Sequence, residues 1–451
     1  MTRTLALLFV IAATALCPAL AMAQAPSAQT LFTQDTLTGD WFGARKQLEQ
    51  KGIQLGADEI FDAMANPIGG DKQGGAFEGR FEIFANLDLG AVFGWKGGLV
   101  HANAYVIHGN GLSSDDVGNL LTITNIGATA GTKLFDLWLQ QSFLDDALSV
   151  RLGQLAADDE FFVSQYATLF LNSTFGWPSI LGVNLPSGGP AYPLATPGLR
   201  VRYALTPAWI LSSAIFNGDP APAGPGNPQR RDANGTAFRT DGSLFWISEL
   251  SYAASIGEDN LPGSYKFGGW YHDGDFADQR FDKLGLPLAD PAFGAALHHG
   301  DFGFYVIADQ LLWRAHGDSD KGLAVFLRAG GNPPDRNLIE FHLDGGITCS
   351  GLLPGRDNDT LGLGMSYERV SSSRRALAAD LSRIGGVDLP LPDFESALEL
   401  SYQAQLAPWW VAQPDAQFII HPGARLPDTQ MPAGKVPANA LILGMRTAVS
   451  F

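Results

Sequence analysis

Arg80 and Glu82 stand two positions apart, separated by Phe81 and followed by Ile83. Arg151, and Arg200 with Arg202, sit in similar alternating stretches, and Asp158-Asp159-Glu160 heads a segment that runs on to Trp177. Guanidinium donors, carboxylate acceptors and an indole ring can line an opening. Charge-assisted hydrogen bonds there would replace the hydration shell of a hydroxyl-bearing solute, yet stay weak enough to release it. The expected arrangement is Arg80 and Arg151 opposite Glu82 and Asp159, with Trp177 as the aromatic platform. Glu160, Arg200 and Arg202 complete the set. The competing use of the same charges is to pair with one another in a wall, for stability alone.

Other chemistry finds less support. His298-His299 and His421 have no carboxylate or cysteine partners at ligand spacing and read as loop residues. Adjacent acids at 158–160 do not predict a general acid and a nucleophile facing each other across ~5 Å, and no motif supplies a Ser/His pair. No catalytic residue, metal or cofactor is assigned.

The elements that must hold these residues have a period of two. From Ile53 onward, side chains alternate between apolar and polar, most clearly at 79–89. There Phe81, Ile83, Ala85, Leu87 and Leu89 point one way, while Arg80, Glu82, Asn86 and Asp88 point the other. Such a strand has lipid on one face and water on the other. Similar segments fall at 134–143, 148–153, 199–205, 209–216, 244–252, 265–271, 302–313, 323–329, 361–367, 397–405 and 439–451. Trp95, Trp209, Tyr252, Tyr271, Trp313, Tyr367, Trp409 and Trp410 lie near segment ends, where two interfacial girdles would place them. About 16 strands of ~10 residues fit the length, with 112–132 and 412–420 hard to assign. Turns at 144–147 and 205–208 are tight and read as periplasmic, whereas 216–241, 272–300 and 369–393 read as extracellular loops. The long connection at 156–197 is too apolar to be solvated, and folding into the lumen would bury its aromatics and narrow the passage.

The N-terminus gives the compartment. Arg3, an apolar run at 5–16 and Ala21-Met22-Ala23 make a secretory signal, cleaved after residue 23. Residues 24–52 form a periplasmic segment with one short helix at 40–51, capped by Asp40, and 53–451 form a transmembrane antiparallel barrel. Charged residues are 17% of the chain, hydrophobic residues 46%, and there are 53 glycines; that charge content is lean against the ~25% of soluble domains. Cys349 is the one cysteine outside the signal, so no disulfide forms within the mature chain. The net charge of −17 excludes nucleic acid as a partner and disfavours anion conduction. In the last strand, Leu441, Leu443, Met445, Thr447, Val449 and Phe451 share the lipid side and Arg446 the lumen side. A terminal aromatic there is a signal for the barrel-assembly machinery.

Several patches carry a resemblance. Leu37-Thr38-Gly39-Asp40-Trp41-Phe42-Gly43 with Arg45, Leu48 and Lys51-Gly52-Ile53 resembles the opening of the carbohydrate-selective porin family of Gram-negative outer membranes, the OprB family. Phe175-Gly176-Trp177-Pro178, Ala191-Tyr192-Pro193 and Thr196-Pro197-Gly198 are similar to its inward loop. Gln413-Pro414-Asp415 with His421-Pro422-Gly423, and the stretch ending at Phe451, are similar to its last two strands. The resemblance implies a barrel of about sixteen strands in the bacterial outer membrane, in contact with its lipid, with an inward constriction loop and a sugar, glucose above all, as the diffusing solute. The alternatives are a general or anion-selective diffusion porin and, behind them, an outer-membrane or secreted hydrolase. Nothing in the sequence separates a monomer from a homotrimer.

Overall fold

The computed structural model describes residues 31–315, 321–386, 389–426 and 435–451. The signal expected at 1–23 lies outside them. The wall begins with β1 (Ile53–Gly70), β2 (Gly75–Asp88), β3 (Gly98–Gly109), β4 (Gly131–Phe143), β5 (Leu148–Leu155) and β6 (Thr196–Ala204). It continues through β7 (Trp209–Asn217), β8 (Leu244–Ile256), β9 (Leu261–Asp282), β10 (Ala295–Arg314) and β11 (Gly322–Gly331). β12 (Ile339–Ser350), β13 (Thr360–Val370), β14 (Phe394–Ala407), β15 (Trp410–Ile420) and β16 (Ala438–Ser450) complete it. Each strand is antiparallel to the one before, and β16 pairs back onto β1 from Asp58 opposite Ser450 to Ala65 opposite Leu443. The sheet is therefore a closed barrel, in which neighbouring strands satisfy one another's backbone groups as a hydrocarbon surround demands.

The two-residue period decides which side chains face lipid. Along β2, Phe77 and Ile83 stand exposed on the outside while Ala76, Glu78, Arg80 and Glu82 turn inward. In β16, Leu443 and Met445 face out, and Ala440, Ile442 and Arg446 are buried inside. Trp209 and Tyr252 stack at 4.4 Å at the ends of β7 and β8, as an interfacial girdle requires. Trp409 does not join that girdle: it is buried, and its indole N–H donates to the Leu31 carbonyl at 2.7 Å.

Differences from the sequence reading have local causes. β3 and β12 alternate too weakly to stand out, because small or apolar residues occupy positions on both faces. The stretch at 112–132 holds no long strand; 110–130 is a second connection that folds inward and buries Leu112, Val117, Leu121, Ile123 and Ile126. β9 and β10 run well past the expected boundaries, leaving a loop of only 283–294 between them. The expected loop at 369–393 contains a helix, Ser372–Gly385. The short N-terminal helix, α1, spans Ala44–Gln50 with Gly43 at its N-cap, while Asp40 accepts instead from the Lys46 amide at 3.1 Å. Arg45 reaches across to the Phe451 carbonyl at 2.7 Å, tying α1 to the barrel rim.

The connection from β5 to β6, 156–195, enters the lumen as expected. It carries its own apolar core there, with Phe161, Phe162, Phe170, Leu171, Ile180 and Leu181 almost fully buried.

Candidate functional site

The charges that can meet a solute lie on β2 to β6 and on the start of the inward connection. Alternation on β2 turns Arg80 and Glu82 to the same face, with the guanidinium 4.0 Å from the carboxylate. Arg80 lies over the Tyr105 ring at 4.7 Å and the Tyr192 ring at 5.4 Å. Glu82 accepts from the Asn103 amide at 2.8 Å. Next along the wall, Arg151 and Arg200 pair across β5 and β6 and converge on Glu160, each at 2.8 Å. Both also donate to the side-chain Oε1 of Gln140. Arg151 stacks on Trp138 at 3.8 Å, and Trp138 in turn on His101 at 4.9 Å. Cation–π contact holds each guanidinium flat against a ring while its edge keeps N–H groups for hydrogen bonding.

Of the expected residues, Arg80, Glu82, Arg151, Glu160 and Arg200 come together. The carboxylate that binds Arg151 is Glu160 rather than Asp159. Asp159 opens onto the pore and hydrogen-bonds with Asp136 of β4. Enclosure by the surrounding wall raises its carboxyl above the ordinary range, opposed by that hydrogen bond and by the Arg151 charge. Its neighbour Asp158 is pushed up to about 7, first by burial and then by the charge of Asp159, with the Tyr192 amide at 2.9 Å pulling the other way. Arg202 lies on the same face of β6 as Arg200, two residues toward the tight turn, and forms no ion pair among the described residues.

Trp177 does not sit among the arginines. Its indole N–H donates to the Gly188 carbonyl at 3.0 Å and its ring packs on the apolar core of the connection. It lines a cavity of about 560 Å³ together with Tyr192. The rings in contact with Arg80 and Arg151 are Tyr105, Tyr192 and Trp138, none of which is among the residues expected from the sequence. The signal for Trp138 lies in the alternation Asp136, Trp138, Gln140 within the strand expected at 134–143. Tyr105 required β3, whose inward set is His101, Asn103, Tyr105 and Ile107.

The opposite wall holds the connection in place. Glu249 accepts from the Phe162 amide at 3.2 Å, Asp309 from Gln165 at 3.2 Å, and Glu399 from Asn172 at 3.0 Å. Arg328 donates to the carbonyls of Phe162, Thr174 and Gly176 at 2.8, 2.6 and 3.0 Å, while Asp344 neutralises it at 3.0 Å. Glu395 does the same for the second inward connection, taking the Leu120 and Leu121 amides at 2.8 Å. Arg446 faces the lumen as its register required, but Asp62 at 2.7 Å, Thr124 and Asn125 occupy it.

A closed sixteen-strand barrel with a lipid-facing apolar surface and a charged lumen narrowed by an inward connection defines an outer-membrane porin. Residues 72–451 match the model of the carbohydrate-selective porin, OprB family, and the chain belongs to that family. Porin B of Pseudomonas aeruginosa is 26% identical over 440 residues, 93% of each chain. The putative porin QuiX of Acinetobacter baylyi is 24% identical over 422 residues, 88% of this chain and 91% of that one. The high-pH structure of Pseudomonas putida OprB superposes with a TM-score of 0.83 at 23% identity, covering 94% of this chain and 100% of that chain. Family and fold place the protein in the bacterial outer membrane, as a channel.

Proposed function

We propose that this porin admits sugars, monosaccharides such as glucose among them, by passive diffusion through an eyelet formed by Arg80, Glu82, Arg151 and Glu160, with the buried Arg200 fixing Glu160 from behind. The observation that carries the reading is the pairing of each open guanidinium with a ring: Arg80 with Tyr105 and Tyr192, Arg151 with Trp138. A sugar presents hydroxyls at its edge and C–H groups on its ring face. Neighbouring guanidinium, carboxylate and aromatic surfaces can exchange with its hydration shell one contact at a time. No conformational energy input is required, and no step of hydrolysis.

A general or anion-selective pore would need an unopposed cationic ring. Here Arg151 and Arg200 share Glu160, and Asp136, Asp158, Asp159 and Glu82 lie close by. Tyr192 and the acidic side of the eyelet come from the inward connection, so selectivity depends on where that connection sits. The segment around α1 lies at the end of the barrel with tight turns, which outer-membrane barrels direct to the periplasm. The strand ending at Phe451 is the one offered to the barrel-assembly machinery.

Liposome swelling with glucose and a size-matched neutral non-sugar tests the reading. Faster entry of glucose is expected, and equal rates reject selectivity. Reversal potentials in a salt gradient test the ionic alternative, for which strong anion preference would be decisive.

A further inference from the structure

Above the eyelet, toward the end with the long connections, lies a cavity of about 690 Å³ between the 110–130 and 218–243 connections. That size falls within the ~300–1,000 Å³ of small-molecule sites. Its floor is Glu78, which shares a face of β2 with Arg80 and stands one strand repeat, about 7 Å, above it. Glu78 is 9% exposed, yet no hydrogen bond or ion pair engages its carboxylate among the described residues. The carboxylate passes between Gly111 and Gly127, where an added Cβ would meet it at 3.3 and 3.2 Å. Arg446, whose field reaches Glu78, is already bound to Asp62 at 2.7 Å.

The groups around Glu78 are selectively free. Ser113 accepts from the Ile123 amide at 2.9 Å, which leaves its hydroxyl proton to donate. Gln229 accepts from the Thr129 amide at 2.6 Å, which leaves its NH₂. Arg230 is exposed, and its guanidinium has no partner among the described residues. Lys133 also lines the cavity but is taken up by the Gln229 and Asp232 carbonyls at 2.9 and 2.6 Å. A buried carboxylate acceptor thus faces several neutral or cationic donors. An anion would meet Glu78 and Asp115 with repulsion, and a bare cation would leave the donors unused. A neutral polyol, each hydroxyl both donor and acceptor, fits both sets. The cavity adjoins the one lined by Trp177 and Tyr192, since Thr122, Gly127, Asn227 and Gln229 border both, and the Arg80 guanidinium lies over the Tyr192 ring.

We propose that this cavity is an outer saccharide-binding station, in which Glu78 accepts hydroxyl protons and Arg230, Gln229 and Ser113 donate, feeding the sugar past Trp177 and Tyr192 to the eyelet. The inference rests on the sugar-porin reading above and adds a second site to it. Such a station raises the rate of entry from one side without lengthening residence in the eyelet.

Single channels of the full chain in planar bilayers, with glucose added to one side at a time, separate these quantities. Native channels should show glucose block with faster entry from the long-connection side. Glu78→Gln, which keeps an acceptor but not its charge, should slow that entry about fivefold, the scale of the difference between a charge-assisted and a neutral hydrogen bond, and leave the residence time unchanged. Arg230→Ala, an exposed residue whose loss does not threaten folding, should slow entry in the same direction and decides the matter where E78Q fails to assemble. Entry rates within twofold of native in the assembled variants, or equal slowing from both sides, would overturn the station while leaving the eyelet standing. Native channels without any glucose block would instead remove the sugar-porin reading itself.

Discussion

The β2–β6 side of the lumen and the β8–β15 side carry the same kinds of charge but put them to different uses. On the first, the Arg80 and Arg151 side chains keep 20% and 19% of their surface open to the pore and rest on aromatic rings. On the second, Arg328 is fully buried, and its guanidinium is taken up by three loop carbonyls and Asp344. Glu160 serves two arginines at the pore, whereas Glu395 and Glu399 serve backbone amides, Glu399 also sharing a hydrogen bond with Asp415. Residue type therefore does not identify an eyelet residue in a lumen. What identifies it is whether its hydrogen-bonding capacity remains available after the loops have folded in. One wall is a clamp, and the other is the surface that the clamp keeps exposed.

The sharpest way to break that division is to release the clamp. Arg328→Ala leaves buried Asp344 with His342 alone, its Nε2 3.3 Å away, and three carbonyls without donors. The expected destabilisation is about 3–5 kcal/mol, read as a lower temperature for loss of the heat-resistant folded band in detergent. Conductance should rise and sugar block should disappear as the connection leaves the lumen. Arg328→Lys, which keeps the charge but not the fork, should fall between. A folded Arg328→Ala channel with native conductance would show that the connection holds itself in place. Glu399→Ala removes the acceptor for two amides and should cost about 2 kcal/mol by the same measure, with noisier conductance from partial release of the 170–172 turn.

On the open wall the order of effects should reverse. Arg151→Ala leaves Glu160 bound to Arg200, so stability should change by less than about 1 kcal/mol. Glucose residence in the pore should nonetheless shorten about tenfold, the scale of one lost charge-assisted hydrogen bond. If the stability loss exceeded that of Glu399→Ala while sugar block persisted, Arg151 would belong to the clamp, and the two walls would not differ as described.

The open wall was largely legible in the sequence and the clamp was not, for a physical reason. A period of two fixes which face a strand residue occupies, whatever its partners, so Arg80, Glu82, Arg151 and Arg200 could be placed in the lumen by alternation with Phe81, Ile83, Val150, Leu199 and Val201. Who binds whom across the lumen follows from the path of a long connection, and that path leaves no local pattern. Glu399 lies in a recognised strand, yet its partner amides at 171 and 172 are more than 220 positions away. Trp177 lies away from the arginines for the same reason. Its aromatic character was plain, but the connection turns it onto Gly188 and gives the place beside Arg80 to Tyr192. Glu78 escaped because nothing in 75–79 distinguishes a free carboxylate from a paired one.

Asp158 tests the border between the two walls, since it belongs to the inward connection but stands beside the eyelet. Its carboxyl is pushed up to about 7, principally by burial, against about 3.9 in an unfolded chain. Between those values the folded protein holds a proton that the unfolded protein has released. This contribution to stability is therefore full below about pH 4, falls as pH rises toward 7, and is constant above. Around pH 7, where the folded carboxyl releases its proton, the pore gains a negative charge, so cation preference should grow as pH rises through about 7. Asp158→Asn keeps an acceptor for the Tyr192 amide and removes the titration. The variant should lose part of the pH dependence of thermal stability between about pH 4 and 7, and of reversal potential between about pH 6 and 8, with little change in conductance at about pH 6. Native-like steepness in the reversal potential would assign the titration to another acid of the pore. Because Asp159 is raised as well and opens directly onto the passage, the double variant with Asp159→Asn then decides whether the charge that solutes meet belongs to this pair.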